Sequence, residues 1–137
     1  MEARICADEL EPSEDFTLML WKGVPYTGIA YEADATGRLV AEVAYKSGQK
    51  CGLAREWAAS GGLVREQSFA FDALHGEARE WYEDGNLRSV GQFELGICIA
   101  EVQYDPLGAV TREFSLRSDS PQSKTLERLR KLAQAHD

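Results

Sequence analysis

Hydrophobic and polar positions alternate in short runs along most of this chain, and each run stops at a cluster of Gly, Asp, Asn or Ser. Residues 52–57 and 63–69 are two such runs, separated by Ala58-Ala-Ser-Gly-Gly62. Period-two alternation interrupted by turn residues predicts a β-hairpin. The unit recurs. Gly28-Ile-Ala-Tyr-Glu-Ala-Asp-Ala-Thr-Gly37-Arg-Leu39, the segment Gly52 to Leu63 and the segment Gly76 to Leu87 align without gaps on G-x-A-x-E-(W)-x-x-x-G-x-L, with anchor glycines 24 residues apart. A fourth, degenerate copy starts at Ile99, with Tyr104, Gly108 and Val110 in the aromatic, second-glycine and leucine positions. Tyr45, Phe69 and Phe93 each lie seventeen residues after their anchor. Self-similarity at a fixed period sets the architecture before local propensity does.

Turn chemistry agrees with the alternation. Asp84-Gly85-Asn86 and Ser60-Gly61-Gly62 tolerate positive φ inside a copy, and Lys46-Ser47-Gly48-Gln49 and Glu94-Leu95-Gly96 predict turns between copies. The expected fold class is mainly β: tandem hairpins forming one elongated antiparallel meander sheet, followed by a C-terminal helix. Strict alternation places Leu53, Trp57, Leu63 and Phe69 on one face, with Trp81, Leu87 and Phe93 in the next copy, and this is read as the core side. The opposite face then carries Ala54, Glu56, Val64, Glu66, Ala78, Glu80, Arg88 and Val90.

Outside the repeats, Ser120-Pro121 reads as an N-cap and a first helical proline. Leu126, Leu129, Leu132 and Ala133 follow at near-helical spacing, so a helix over 121–135 is expected to lay these residues on the sheet. Phe16–Trp21 is read as the first strand, with Gly23 closing a turn, and residues before Asp15 as partly unstructured. The resulting division is an acidic arm over 1–15, a repeat domain over 16–118 with copies near 20–45, 46–69, 70–93 and 94–116, and a capping helix over 119–137.

Composition narrows the function classes. The 137 residues carry a formal charge of −8, which argues against binding a phosphate backbone and favours a basic protein partner. Residues 1–15 hold Glu2, Asp8, Glu9, Glu11, Glu14 and Asp15 against Arg4, whereas Lys124, Arg128, Arg130 and Lys131 make the tail basic; this reads first as a solvated arm and a solvated helix face, and otherwise as two ends that attract one another or an arm that steers in a cationic partner. No apolar run is long enough to span a bilayer, and the acidic start does not read as a secretory signal, so a cytoplasmic location is expected. Cys6, Cys51 and Cys98 are an odd number without metal-ligand spacing and are read as reduced apolar fillers.

Little in the chain predicts catalysis. His75 precedes an anchor glycine and His136 sits one residue from the last position, so neither a catalytic dyad nor a metal site is expected, and no cofactor is implied. The repeated chemical group is the carboxylate of Glu32, Glu56 and Glu80, with Gln103 in the fourth copy. Two readings stand: each Glu pairs with a neighbouring Arg or Lys on a solvated face, or together they form an acidic strip that docks a basic surface. Tyr82, beside Glu83 and Asp84, is read as an exposed interface anchor, with Tyr26 and Tyr31 as further candidates. The partner-binding set is therefore Glu32, Glu56, Glu80, Tyr82, Glu83 and Asp84.

The glycine, tryptophan and leucine positions, in register over residues 20–116, resemble the MORN-variant repeat of the YwqK-type antitoxin family. That resemblance implies a protein-binding scaffold, and in the antitoxin-like group a bacterial immunity protein that neutralises a toxin by direct contact. A generic scaffold joining cellular proteins is the second reading. A small enzyme using Glu80, Arg79 or His75 in a groove along the sheet is the third.

Overall fold

In the computed structural model, residues 3–135 are described, and they form one long sheet with a short annex at one end and a helix at the other. Glu2, His136 and Asp137 lie outside the described residues. Eight strands make an up-and-down meander: β5 (Gly28–Ala33), β6 (Leu39–Lys46), β7 (Gln49–Trp57), β8 (Leu63–Ala70), β9 (Ala73–Trp81), β10 (Leu87–Glu94), β11 (Ile97–Tyr104) and β12 (Val110–Ser115). A ninth strand, β1 (Arg4–Cys6), adds in parallel to β5. The annex is a three-stranded sheet of β2 (Leu10–Pro12), β3 (Met19–Trp21) and β4 (Val24–Pro25).

The 24-residue period becomes two kinds of turn. Within copies, the amides of Gly37, Gly61, Gly85 and Gly108 each donate back three residues, and all four glycines have positive φ. Between copies, the two-residue turns Ser47–Gly48, Phe71–Asp72 and Leu95–Gly96 have positive φ at both positions, the type I′ geometry that matches strand twist. Phe71–Asp72 achieves this without glycine. The Asp72 carboxylate accepts the Lys50 amide at 2.6 Å and the Asp72 amide donates to the Lys50 carbonyl at 3.0 Å, which holds the turn closed.

The seventeen-residue spacing also has a structural cause. Tyr45, Phe69 and Phe93 stand directly opposite Gly28, Gly52 and Gly76 on neighbouring strands, so each aromatic faces a residue without a side chain. This overturns one expectation. A bulge at each hairpin end pairs Trp57 with Leu63 but Glu56 with Arg65, so the extra residue reverses the alternation between Leu63 and Phe69. Phe69 and Phe93 therefore share a face with Glu56 and Glu80, not with the tryptophans. Glu66 moves the other way, opposite Arg55 on the tryptophan face, and Val90, opposite Arg79, moves with it.

The arm is the second correction. Ile5 of β1 is buried with Tyr26 and Ala30, and Ala7, Leu10, Trp21 and Tyr45 pack around them. The arm thus closes the sheet edge that β5 would otherwise expose, and residues 3–14 are structured. The expected strand over Phe16–Trp21 shortens to Met19–Trp21. Asp15 explains why: its carboxylate accepts from the hydroxyls of Ser13 and Thr17 and from the Thr17 amide, curling residues 13–17 into a loop. Those bonds, Thr17 first, hold the Asp15 carboxyl below its ordinary value.

The helix α1 spans Pro121–Ala135, with the Ser120 hydroxyl accepting the Ser123 amide as its N-cap. Leu126 is buried and Leu129 half-buried, but Leu132 is 58% exposed and Ala133 is exposed, so only part of the expected apolar stripe docks. Arg130 grips Glu94 of β10 through two bonds of 2.6 and 2.7 Å. The basic tail therefore pairs with β10, near its own end of the sheet; the acidic arm is on the far edge.

Bonding by Arg130 lowers the Glu94 carboxyl from its ordinary value. A depressed folded pKa contributes stability above the unfolded pKa and loses it as pH falls through the folded value. Helix docking is expected to weaken as pH drops below about 4. Amide exchange of α1 between pH 5 and 3, recorded for wild type and Arg130→Gln, checks this: the variant should lack the acid-dependent change.

Candidate functional site

Both faces of the sheet are largely open. Among the described residues, only Ile5, Tyr26, Ala30 and Leu126 are buried apolar residues, and no large side chain is fully buried. The chemistry lies in rows running across the strands, so the register decides what each face presents.

On one face, the register runs from Glu32 through Ala41, Glu56, Arg65, Glu80 and Ser89 to Gln103. Successive glutamates are two strands apart, about 9.6 Å, because each comes from the first strand of its hairpin. The intervening positions belong to second strands. Arg65 fills one of them and pairs with both Glu56 at 3.1 Å and Glu80 at 3.2 Å. An unbroken acidic strip is therefore not formed: the row is Glu32, standing exposed opposite Ala41, and a Glu56–Arg65–Glu80 bridge.

The remaining expected residues cluster at the rim. Tyr82 is half-buried instead of exposed, its hydroxyl donating to the Tyr104 carbonyl at 2.8 Å with the Arg88 guanidinium 5.6 Å over its ring. Asp84 accepts the Asn86 amide at 2.9 Å and so serves its own turn, while Glu83 is exposed beside it. Glu80, Tyr82, Arg88, Ser89, Gln103, Tyr104 and Thr111 line a shallow polar cleft of about 250 Å³. A larger, more apolar cleft of about 590 Å³, lined in part by Cys98, Phe114, Leu116 and Ser120, lies where β12 hands over to the helix. Burial raises the Cys98 thiol above its ordinary range, which fits a filler and not a nucleophile.

Of the other tyrosines, Tyr26 is core, its hydroxyl donating to the Ile29 carbonyl at 2.8 Å, and Tyr31 lies under the Arg4 guanidinium at 5.6 Å. His75 accepts the Leu95 amide on Nδ1 at 3.1 Å, a turn bond. Arg79 pairs with Glu77 and projects to the face opposite Glu80, so Glu80, Arg79 and His75 do not converge. Among the described residues, no group of three or more His, Cys, Asp or Glu could hold a metal ion, and no helix is long and apolar enough to cross a membrane.

The tryptophan face holds what the alternation pattern missed. Arg4, Glu42, Arg55 and Glu66 form a continuous chain of ion pairs at 3.2, 3.5 and 2.7 Å across β1, β6, β7 and β8. Register would have revealed it, since Glu42, Arg55, Glu66 and Arg79 are directly opposite in turn, but register depends on bulges that the sequence does not mark. Compared with protein-family models, curated proteins and solved structures, the chain matches none.

Proposed function

We propose that this chain acts by binding, as an immunity protein or antitoxin that neutralises a cognate bacterial toxin through direct contact with a basic surface. The observation that carries this reading is an open sheet face on which Glu32, Glu56 and Glu80 recur at two-strand intervals, bordered by Glu83 and Asp84, in a chain of net charge −8. Arg65 does not neutralise that face. It holds two carboxylates in fixed positions, and an incoming guanidinium or ammonium adds to their free lone pairs. Shallow relief across several strands suits a protein surface better than a small substrate, which needs an enclosing pocket. The MORN-variant resemblance, a cytoplasmic site of action and a basic toxin domain as partner belong to this proposal.

Capture from native lysate with the tagged chain tests it. One stoichiometric basic protein is expected, lost when Glu32, Glu56 and Glu80 are all replaced by Gln. Many weak partners, insensitive to the replacement, would favour the generic scaffold.

A further inference from the structure

The tryptophan face is amphipathic in two parallel bands. Its first band lies at the within-copy turns, where the register pairs Ala33 with Leu39, Trp57 with Leu63, Trp81 with Leu87 and Tyr104 with Val110. Trp57, Leu63, Trp81 and Leu87 are all only half-buried, and Leu53, beyond Arg55 on the same face of β7, is 40% exposed. A sheet of this size ordinarily buries one face. Alongside runs the second band, Glu42, Arg55, Glu66 and Arg79 on β6 to β9, alternating in sign at each strand.

We infer that this face is a dimer interface, on which two copies pack sheet to sheet about a two-fold axis parallel to the strands between β7 and β8. Three observations select a second copy as the occupant. The first is the charge order. Such an axis exchanges β6 with β9 and β7 with β8, so the row Glu42, Arg55, Glu66, Arg79 meets its own reverse: Glu42 faces Arg79 and Arg55 faces Glu66 of the other copy. Every contact is of opposite sign.

The second is shape. The same operation leaves position along the strand unchanged, so the apolar band lies on itself, with Trp57 over Leu63 and Trp81 over Leu39 of the other copy. Each large ring meets a smaller side chain, the interdigitation that two sheets about 10 Å apart require.

The third is charge balance and area. Arg4, Arg55 and Arg79 offset Glu42, Glu66 and Glu77 on this face, so two copies approach through it without the repulsion that a net charge of −8 imposes elsewhere. Strands β6 to β9, the set that the axis maps onto itself and that leaves Glu94 of β10 to Arg130, give a footprint of about 19 by 28 Å. Two such footprints exceed the total of about 1,000 Å² that a specific interface needs.

Sedimentation equilibrium of the full chain tests this. The expected mass is twice 15.2 kDa. Glu66→Arg places like charges opposite Arg55 of both copies and should raise the dimer dissociation constant at least about tenfold, with circular dichroism confirming an intact sheet. Adding Arg55→Glu to it restores opposite signs across the axis and should recover the dimer. Register is read by a Glu42→Cys/Arg79→Cys double variant in a background with Cys6, Cys51 and Cys98 replaced by Ala: these positions are three strands apart in one copy but face one another across the gap of about 10 Å, beyond direct disulfide reach, so a short bismaleimide should give covalent dimer, and neither single variant should. A folded wild type sedimenting at 15.2 kDa at high micromolar concentration overturns the inference. So does a dimer that is indifferent to Glu66→Arg and is not trapped by the double cysteine variant, since it must form through another surface.

Discussion

Gly28→Val is expected to be the most damaging single substitution in the repeat, lowering stability by about 3–5 kcal/mol. Gly28 has φ +145, where a branched side chain is strained, and a Cβ there would come within 2.6 Å of the Tyr26 hydroxyl and 2.7 Å of the Ala3 carbonyl oxygen. The hydroxyl belongs to the small core that closes the first edge and the carbonyl to the residue leading into β1, and neither can retreat. The carbonyl accepts the Ile29 amide at 2.7 Å, and the hydroxyl is held by the Ile29 carbonyl. Gly61→Ala is the matched control. Its φ of +95 carries the cost of a left-handed residue, about 1–2 kcal/mol, but nothing lies within 4 Å of the added atom. Urea unfolding of the two variants should separate them by at least about 1 kcal/mol; equal losses would mean that the close approach at Gly28 relaxes freely.

Removing residues 1–12 is the second large effect, about 4 kcal/mol from loss of the buried Ile5 side chain together with the hydrogen bonds of β1. The deletion leaves Tyr26 and Ala30 exposed at a bare β5 edge, so aggregation should accompany the loss. Phe16→Ala, at a side chain 80% exposed a few residues further on, should cost less than about 0.5 kcal/mol. Thermal unfolding of both decides whether the acidic segment is a structural edge strand. An unchanged midpoint in the truncated chain would return it to the status of a solvated arm.

These two predictions mark where the sequence could and could not be read. Gly28, Gly52 and Gly76 with their aromatics seventeen residues on were visible as a period, and the facing of Tyr45 on Gly28 follows once the hairpin is closed. Ser120 and Pro121 placed the helix start because capping is a local matter. The faces were harder. A single bulge residue reverses every side chain beyond it, so counting by twos carried Phe69 to the wrong side while keeping Trp57 and Leu63 together. The β1 strand was illegible for a different reason: three residues that pair in parallel with a distant segment leave no periodic trace, and a run rich in acids resembles a solvated tail.

The candidate site divides in the same way. Glu32, Glu56 and Glu80 were legible as repeated carboxylates on one face, but Arg65, which ties two of them together, lies at a second-strand position that the repeat does not conserve from copy to copy: Ala41 and Ser89 occupy its equivalents. Tyr82 reads as exposed from its acidic neighbours, but of these Asp84 serves the turn. Its hydroxyl spends its proton on the Tyr104 carbonyl, a contact across 22 residues that only the meander creates.

The two faces have separate tasks in this account, the glutamate face for the basic partner and the tryptophan face for a second copy. Native mass spectrometry of the captured complex tests that division most directly. The account predicts two copies of the chain with two of the partner for the wild type, and one with one for Glu66→Arg. For the variant with Gln at Glu32, Glu56 and Glu80 it predicts a dimer without partner. A Glu66→Arg chain that loses the partner along with its own second copy would contradict it, as would a wild-type dimer that retains no basic protein.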